Sequence, residues 1–194
     1  MNLLAHAFLS FQDTDILAGN MISDYVKGKK QYDLPRNVQK GIQLHRVIDT
    51  FTDQHRVVKE LSEIFRPKYR LYSGAIIDIV FDHFLANDEI HFNKNQLHDF
   101  TQTIYTQLSI HQSIFPERFA KMFPYMTSQN WLFHYQSTEG IQRSLGGLQR
   151  RAKYIDETET AFQLFLQHYE QIQTGYQLFF PELLQMSKDT FNKL

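Results

Sequence analysis

The sequence contains no cysteine, which removes disulfides, thiolate metal sites and cysteine nucleophiles together. Any metal bound by this chain must draw on nitrogen and oxygen ligands. A reducing compartment suits such a composition, and a cytoplasmic location is expected. No apolar run is long enough to span a bilayer: the most apolar, AIIDIVF at 75–81, is short and carries Asp78 in its middle. The opening MNLLAHAFLSF has no basic leader, so neither a signal peptide nor a membrane partner is expected. Charge of one sign is also missing, with 20 Lys and Arg against 21 Asp and Glu for a net charge of −1. That balance argues against a dedicated nucleic-acid binder. A Walker loop, a G-x-S-x-G elbow and an H-E-x-x-H helix are absent as well, which takes away P-loop, serine-hydrolase and zincin chemistry.

Breakers are few: five prolines and eight glycines in 194 residues. Long stretches carry apolar residues at the 3.6 period, and no run alternates strictly. The fold is expected to be all-α, one multi-helix domain over 1–194. Helices are expected at about 2–10, 13–25, 36–54, 56–65, 69–87, 94–110, 116–126, 129–136 and 138–150, then 157–187 with a break for which Gly175 and Pro181 are the candidates. In that last segment Phe162, Phe165, Leu166, Tyr169 and Ile172 share one stripe that reads as core.

Charge is unevenly spread. Lys27 to Arg70 holds eleven basic and five acidic residues, a local surplus in a chain that is otherwise acidic. Lys27, Lys29, Lys30, Arg36, Lys40 and Arg56 are therefore candidates for docking an acidic partner or a phosphate, although a solvated helix surface gives the same pattern.

The chemistry concentrates in GIQLHRVIDTFTDQH at 41–55. His45 and Asp49 are four apart, hence on one helix face, and can point at a single ion. Arg46 sits beside them, Asp53 extends the row and His55 follows. In DIVFDHF, Asp78 and Asp82 repeat the spacing with His83 adjacent. Polar pairs set among Ile, Val, Leu and Phe are costly to bury unless they share something positive. His6, in an apolar helix, and Asp24, at the end of LAGNMISDYVKG, add two more donors. Together these residues suggest a His/Asp cage for Mn²⁺ or Mg²⁺, with Fe²⁺ or Zn²⁺ as further options. A structural network of His–Asp and Arg–Asp pairs would use the same residues.

Five segments, MNLLAHAFLS, GNMISDYVKG, GIQLHRVIDTFTDQH, YSGAIIDIVFDHFL and NWLFHYQSTEGIQRSLGGLQRR, run in order through about three-quarters of the chain. They resemble the acyl carrier protein phosphodiesterases, a family regarded as distantly related to the His-Asp (HD) metal-dependent phosphohydrolases. The pattern departs at Ser23 and Tyr25, where glycine and phenylalanine are expected, and after Ala86, where Asn87-Asp88-Glu89 stands in place of a nearby tryptophan.

The resemblance implies an HD-domain-like helical bundle and hydrolysis of the phosphodiester joining 4′-phosphopantetheine to the serine of acyl carrier protein, with Mn²⁺ as the usual metal. An acidic carrier protein as partner also gives the basic segment a use. Carried over by position, His6, Asp24, His45, Asp49, Asp78, Asp82 and His83 occupy the family's polar motif. Asp24, His45, Asp78 and Asp82 are expected nearest the metal, with His6 and Asp49 just behind. Asp24, His45, Arg46 and Asp82 are expected to be catalytic, and Arg150 and Arg151 to contact phosphate or the carrier. A nucleotide-directed HD phosphohydrolase, and a non-catalytic module that binds an acidic protein, are the alternatives.

Overall fold

The computed structural model describes residues 1–93 and 95–194. Among the described residues there are twelve α-helices and no strand, in keeping with the 3.6 period of the sequence. They are α1 (Leu3–Phe8), α2 (Thr14–Ile22), α3 (Arg36–Gln54), α4 (Arg56–Ser62), α5 (Arg66–Tyr69), α6 (Ser73–Ala86), α7 (Gln96–Ser109), α8 (Glu117–Ser128), α9 (Trp131–His134), α10 (Thr138–Arg151), α11 (Glu159–Gln167) and α12 (Tyr169–Phe191). The helix expected from 94 begins at Gln96, and Lys94 lies outside the described residues. No helix of the described chain is long and apolar enough to cross a membrane.

Local chemistry sets several starts. Asp13 caps α2 by accepting from the backbone N–H groups of Asp15 and Ile16 at 3.0 and 2.9 Å. Pro35 precedes α3, and the Ser137 hydroxyl caps α10 at the Gly140 N–H, 3.1 Å away. The break in the last segment falls at His168, between α11 and α12, and α12 runs straight through Gly175 and Pro181. Gly175 serves a different purpose there, because a Cβ on it would stand 2.5 Å from Leu61 Cδ1, so it lets α12 lie against α4. The turn at His168 also splits the expected apolar stripe: Phe165 and Ile172 are fully buried, while Leu166 is 42% exposed.

Buried apolar side chains from almost every helix join in one cluster, with Phe65, Phe81, Phe119, Phe165, Phe179 and Phe180 fully enclosed. α6 is the central strut, packed on α1, α4, α10 and α12. The tightest helix pair is α2 on α3. A Cβ on Gly19 would overlap the Val38 carbonyl oxygen, and one on Gly41 would overlap that of Ile16. Only two glycines at the crossing allow backbones this close, and their approach determines where Asn20, Asp24 and His45 meet.

Candidate metal centre

His6 on α1, His45 and Asp49 on α3, and Asn20 on α2 converge where these three helices cross. Asn20 is fully buried and orients both imidazoles. Its side-chain N–H₂ donates to the His6 carbonyl and the Ser10 hydroxyl at 2.9 and 3.1 Å, so its Oδ1 must accept from His6 Nδ1 at 2.8 Å. Its main-chain carbonyl accepts from His45 Nδ1 at 2.8 Å. With both Nδ1 atoms thus protonated, the two Nε2 atoms turn the other way, the arrangement in which a histidine is held for metal ligation by the bond its other nitrogen makes. The rings stack at 4.0 Å and 16°.

Asp49 bridges them. Its Oδ1 lies 3.1 Å from His6 Nε2 and its Oδ2 lies 3.0 Å from His45 Nε2. His6, His45 and Asp49 each offer a ligand atom within 4.8 Å of the other two and can hold a metal ion. Asp24 closes the mouth, 76% exposed, with Oδ1 at 3.3 Å from His45 Nε2. Asp78 stands on the far side, where the Met1 amino group pairs with it at 3.2 Å and with Asp49 at 3.4 Å.

Electrostatics sharpen this picture. Burial, with the charge of His45 nearby, lowers His6 to about 4, so at neutral pH its Nε2 bears a lone pair. That lone pair faces Asp49 Oδ1 and, at 3.2 Å, the Met1 carbonyl oxygen. Three acceptors looking at one another suit a cation between them, and the nitrogen and carboxylate donors suit a divalent transition metal or Mg²⁺. Burial opposes charging His45, but the Asp24 and Asp49 carboxylates prevail and push it up to about 9. Burial would raise Asp49, yet the hydrogen bond from His45 and the charge of the amino group hold it far below the usual carboxylate range. The His45 hydrogen bond lowers Asp24, so that exposed carboxylate is ionised.

Other expected residues lie elsewhere. Asp82 is fully buried, and its two oxygens accept from the Leu4 and Ala5 N–H groups at 2.7 and 3.1 Å. It caps the start of α1 from across the core, with burial lifting it to about 7 against those bonds. His83 turns away, donating from Nδ1 to the Tyr135 carbonyl at 2.8 Å and accepting at Nε2 from the Tyr169 hydroxyl at 2.9 Å. His55 accepts from the Val57 N–H at the start of α4, and Asp53 is exposed.

Arg46, one residue and about 100° beyond His45, faces solvent and lines a groove with Arg36 and Lys40 on α3. Lys27, Lys29 and Lys30 are exposed on and beside the 3₁₀ turn that packs against this helix. Arg56 pairs with Glu60 at 3.6 Å. Arg150 and Arg151 line a separate cleft.

The model of the acyl carrier protein phosphodiesterase family matches residues 1–183. This chain belongs to that family. Proteins named acyl carrier protein phosphodiesterase from Klebsiella pneumoniae, Yersinia pestis and Escherichia coli O6:H1 are 32%, 31% and 30% identical to it. The alignments cover 97%, 97% and 96% of this chain and 98%, 98% and 97% of those proteins. No solved structure matches the chain. Asn20, which orients both histidines of this family member, gave no sign of itself in sequence beyond being a lone amide in the apolar run ILAGNMI.

Proposed function

We propose that this protein is a metal-dependent phosphodiesterase that hydrolyses the bond between 4′-phosphopantetheine and the serine of acyl carrier protein, in the cytoplasm, as one catalytic domain. The observation that carries the reading is the convergence of His6 Nε2, His45 Nε2 and both oxygens of Asp49, fixed from behind by Asn20, in a member of this family.

His6, His45 and Asp49 would hold the ion, and Asp24 would complete the set from the mouth; Mn²⁺ is the first candidate, Mg²⁺ and Fe²⁺ the others. When bound, a divalent ion lowers the pKa of a water molecule and offsets charge on the phosphate oxygens. Loading the site takes the proton from His45 Nε2, since a ligating imidazole must be neutral. Asp78 lies close enough to the Met1 amino group to hold that end of α1 in place, and Asp82 anchors its first turn, so both act by positioning His6. Asp24, ionised and open to solvent, would reach the ion from the side on which the phosphodiester arrives. In the reaction water adds to phosphorus, the bond from phosphorus to the serine oxygen breaks, and that oxygen takes up a proton.

The test incubates the protein with holo-acyl carrier protein, with Mn²⁺ or with EDTA, and follows the carrier's intact mass. Metal-dependent conversion to apo-carrier supports the reading. An unchanged mass with Mn²⁺, Mg²⁺ and Fe²⁺ contradicts it, and turnover of nucleotides instead would move the substrate to the HD-type alternative.

A further inference from the structure

Next to the metal centre lies a cleft that none of the ligating residues fills. Its volume is about 290 Å³, near the lower end for small-molecule sites. α10 lines it through Gly146 and Gly147, and Trp131 and Tyr135 line it as well. Arg143, Arg150 and Arg151 line it too, and none of the three has an ion-pair partner among the described residues.

The cleft connects to the centre at two points. Asn2, at the start of α1, lines it and donates to the Tyr135 hydroxyl at 2.8 Å. Met122 also lines it and takes the Tyr25 hydroxyl at 3.6 Å, and Tyr25 directly follows Asp24. The Arg151 charge bears on both tyrosines.

The glycine pair is the telling feature. Two adjacent glycines inside a 14-residue helix weaken it; at Gly19, Gly41, Gly140 and Gly175 neighbours leave no room for a Cβ, and the other helical glycine with open space, Gly74, stands alone in the first turn of α6. At Gly146 and Gly147 a Cβ would meet only the Arg150 guanidinium, at 3.7 Å. No protein group needs the space, and it opens into the cleft.

We propose that this cleft is the seat of the 4′-phosphopantetheine arm. The flexible amide-bearing chain lies between the glycine wall of α10 and Trp131, and Arg151 faces its phosphate end, toward Asp24. Amide groups along the arm find the Asn2, Gln129 and Ser144 side chains, which also line the cleft. The assignment rests on the phosphodiesterase reading above and adds the part of the substrate that is recognised away from the bond that breaks.

Trp131 is the one tryptophan in the chain, so its emission reports on this cleft alone. Free 4′-phosphopantetheine, titrated into the wild-type protein with EDTA present, is expected to shift or quench that emission. Pantetheine without the phosphate should act only at higher concentration, and Arg151→Gln should erase the difference. Gly146→Leu and Gly147→Leu, each of which would fill the wall, should raise KM for holo-acyl carrier protein by about tenfold or more with a smaller change in kcat. The matching alanine variants, which place only a Cβ there, check that the helix accepts a side chain.

Trp131 emission that ignores millimolar 4′-phosphopantetheine overturns the assignment, as do leucine variants with wild-type KM. The reaction is judged separately by the carrier's mass. A wild-type protein that binds free 4′-phosphopantetheine at Trp131 but converts no holo-carrier keeps the cleft and loses the reaction, while conversion with a silent Trp131 does the reverse.

Discussion

Asn20 holds two imidazoles through different atoms, and substitution separates the two tasks. In Asn20→Ala the main-chain carbonyl still receives His45 Nδ1, while His6 loses its partner and two donors' worth of support goes with it. Mn²⁺ affinity, measured by calorimetry, is expected to fall by about 10- to 100-fold, the usual cost of losing an outer partner of a ligand. Retained affinity would mean that His6 is not a ligand. His83 offers a pH-dependent case. Burial lowers it below its ordinary value against the pull of the Tyr135 carbonyl, so the folded protein binds this proton less readily than the unfolded chain. Its contribution is therefore whole above about pH 6.5 and is lost as pH falls toward the folded value, by up to about 1.4 kcal/mol per pH unit. Urea unfolding at pH 8 and pH 5 should show a smaller acid loss in His83→Gln than in the wild type. The partnership of His45 and Asp49 was legible because a spacing of four brings two side chains to one helix face. Asp82 has the same spacing from Asp78, but what its oxygens meet is the first turn of a helix 77 residues and more away, which no local pattern records. Arg46 adjoins His45 in sequence, but the next residue on a helix points about 100° away, and Arg46 faces solvent.

At the level of elements, the crossing of α2 and α3 governs the site. Gly41→Ala would drive its methyl into the Ile16 carbonyl, a backbone atom that cannot swing aside, and should cost about 3 kcal/mol or more in unfolding free energy. Gly147→Ala should have the opposite sign, stabilising α10 by about 0.5–1 kcal/mol, because nothing but a flexible arginine stands near the new methyl. Denaturant unfolding of both variants measures the contrast, and equal effects would refute the view that one glycine serves packing and the other an open wall. Most helices were readable from periodicity and caps. The last break was not, because Gly175 and Pro181 look like breakers in isolation; contact of Gly175 with Leu61 on α4 gives the glycine a packing role that only the folded chain reveals.

Over the whole molecule, two groups of basic residues line open surface. Arg36, Lys40 and Arg46 share a groove on α3, with Lys27, Lys29 and Lys30 exposed nearby, and Arg143, Arg150 and Arg151 line the cleft beside α10. Exposed charges such as these act through solvent and are screened within about 8 Å at physiological salt. The α3 face is expected to speed encounter with an acidic carrier, so kcat/KM should fall as salt rises, and Lys40→Glu with Arg46→Glu should lower it with little effect on kcat. A salt-independent kcat/KM would remove that face from docking. All of this depends on the centre being where the phosphodiester is cleaved. The most direct measurement is turnover of holo-acyl carrier protein at saturating Mn²⁺ by the wild type and by Asp49→Asn, with circular dichroism to show that both are folded. Asp49 touches both imidazoles, so the variant should lose more than the outer-partner cost, at least about a hundredfold; a folded Asp49→Asn protein that releases 4′-phosphopantetheine at the wild-type rate would contradict the account.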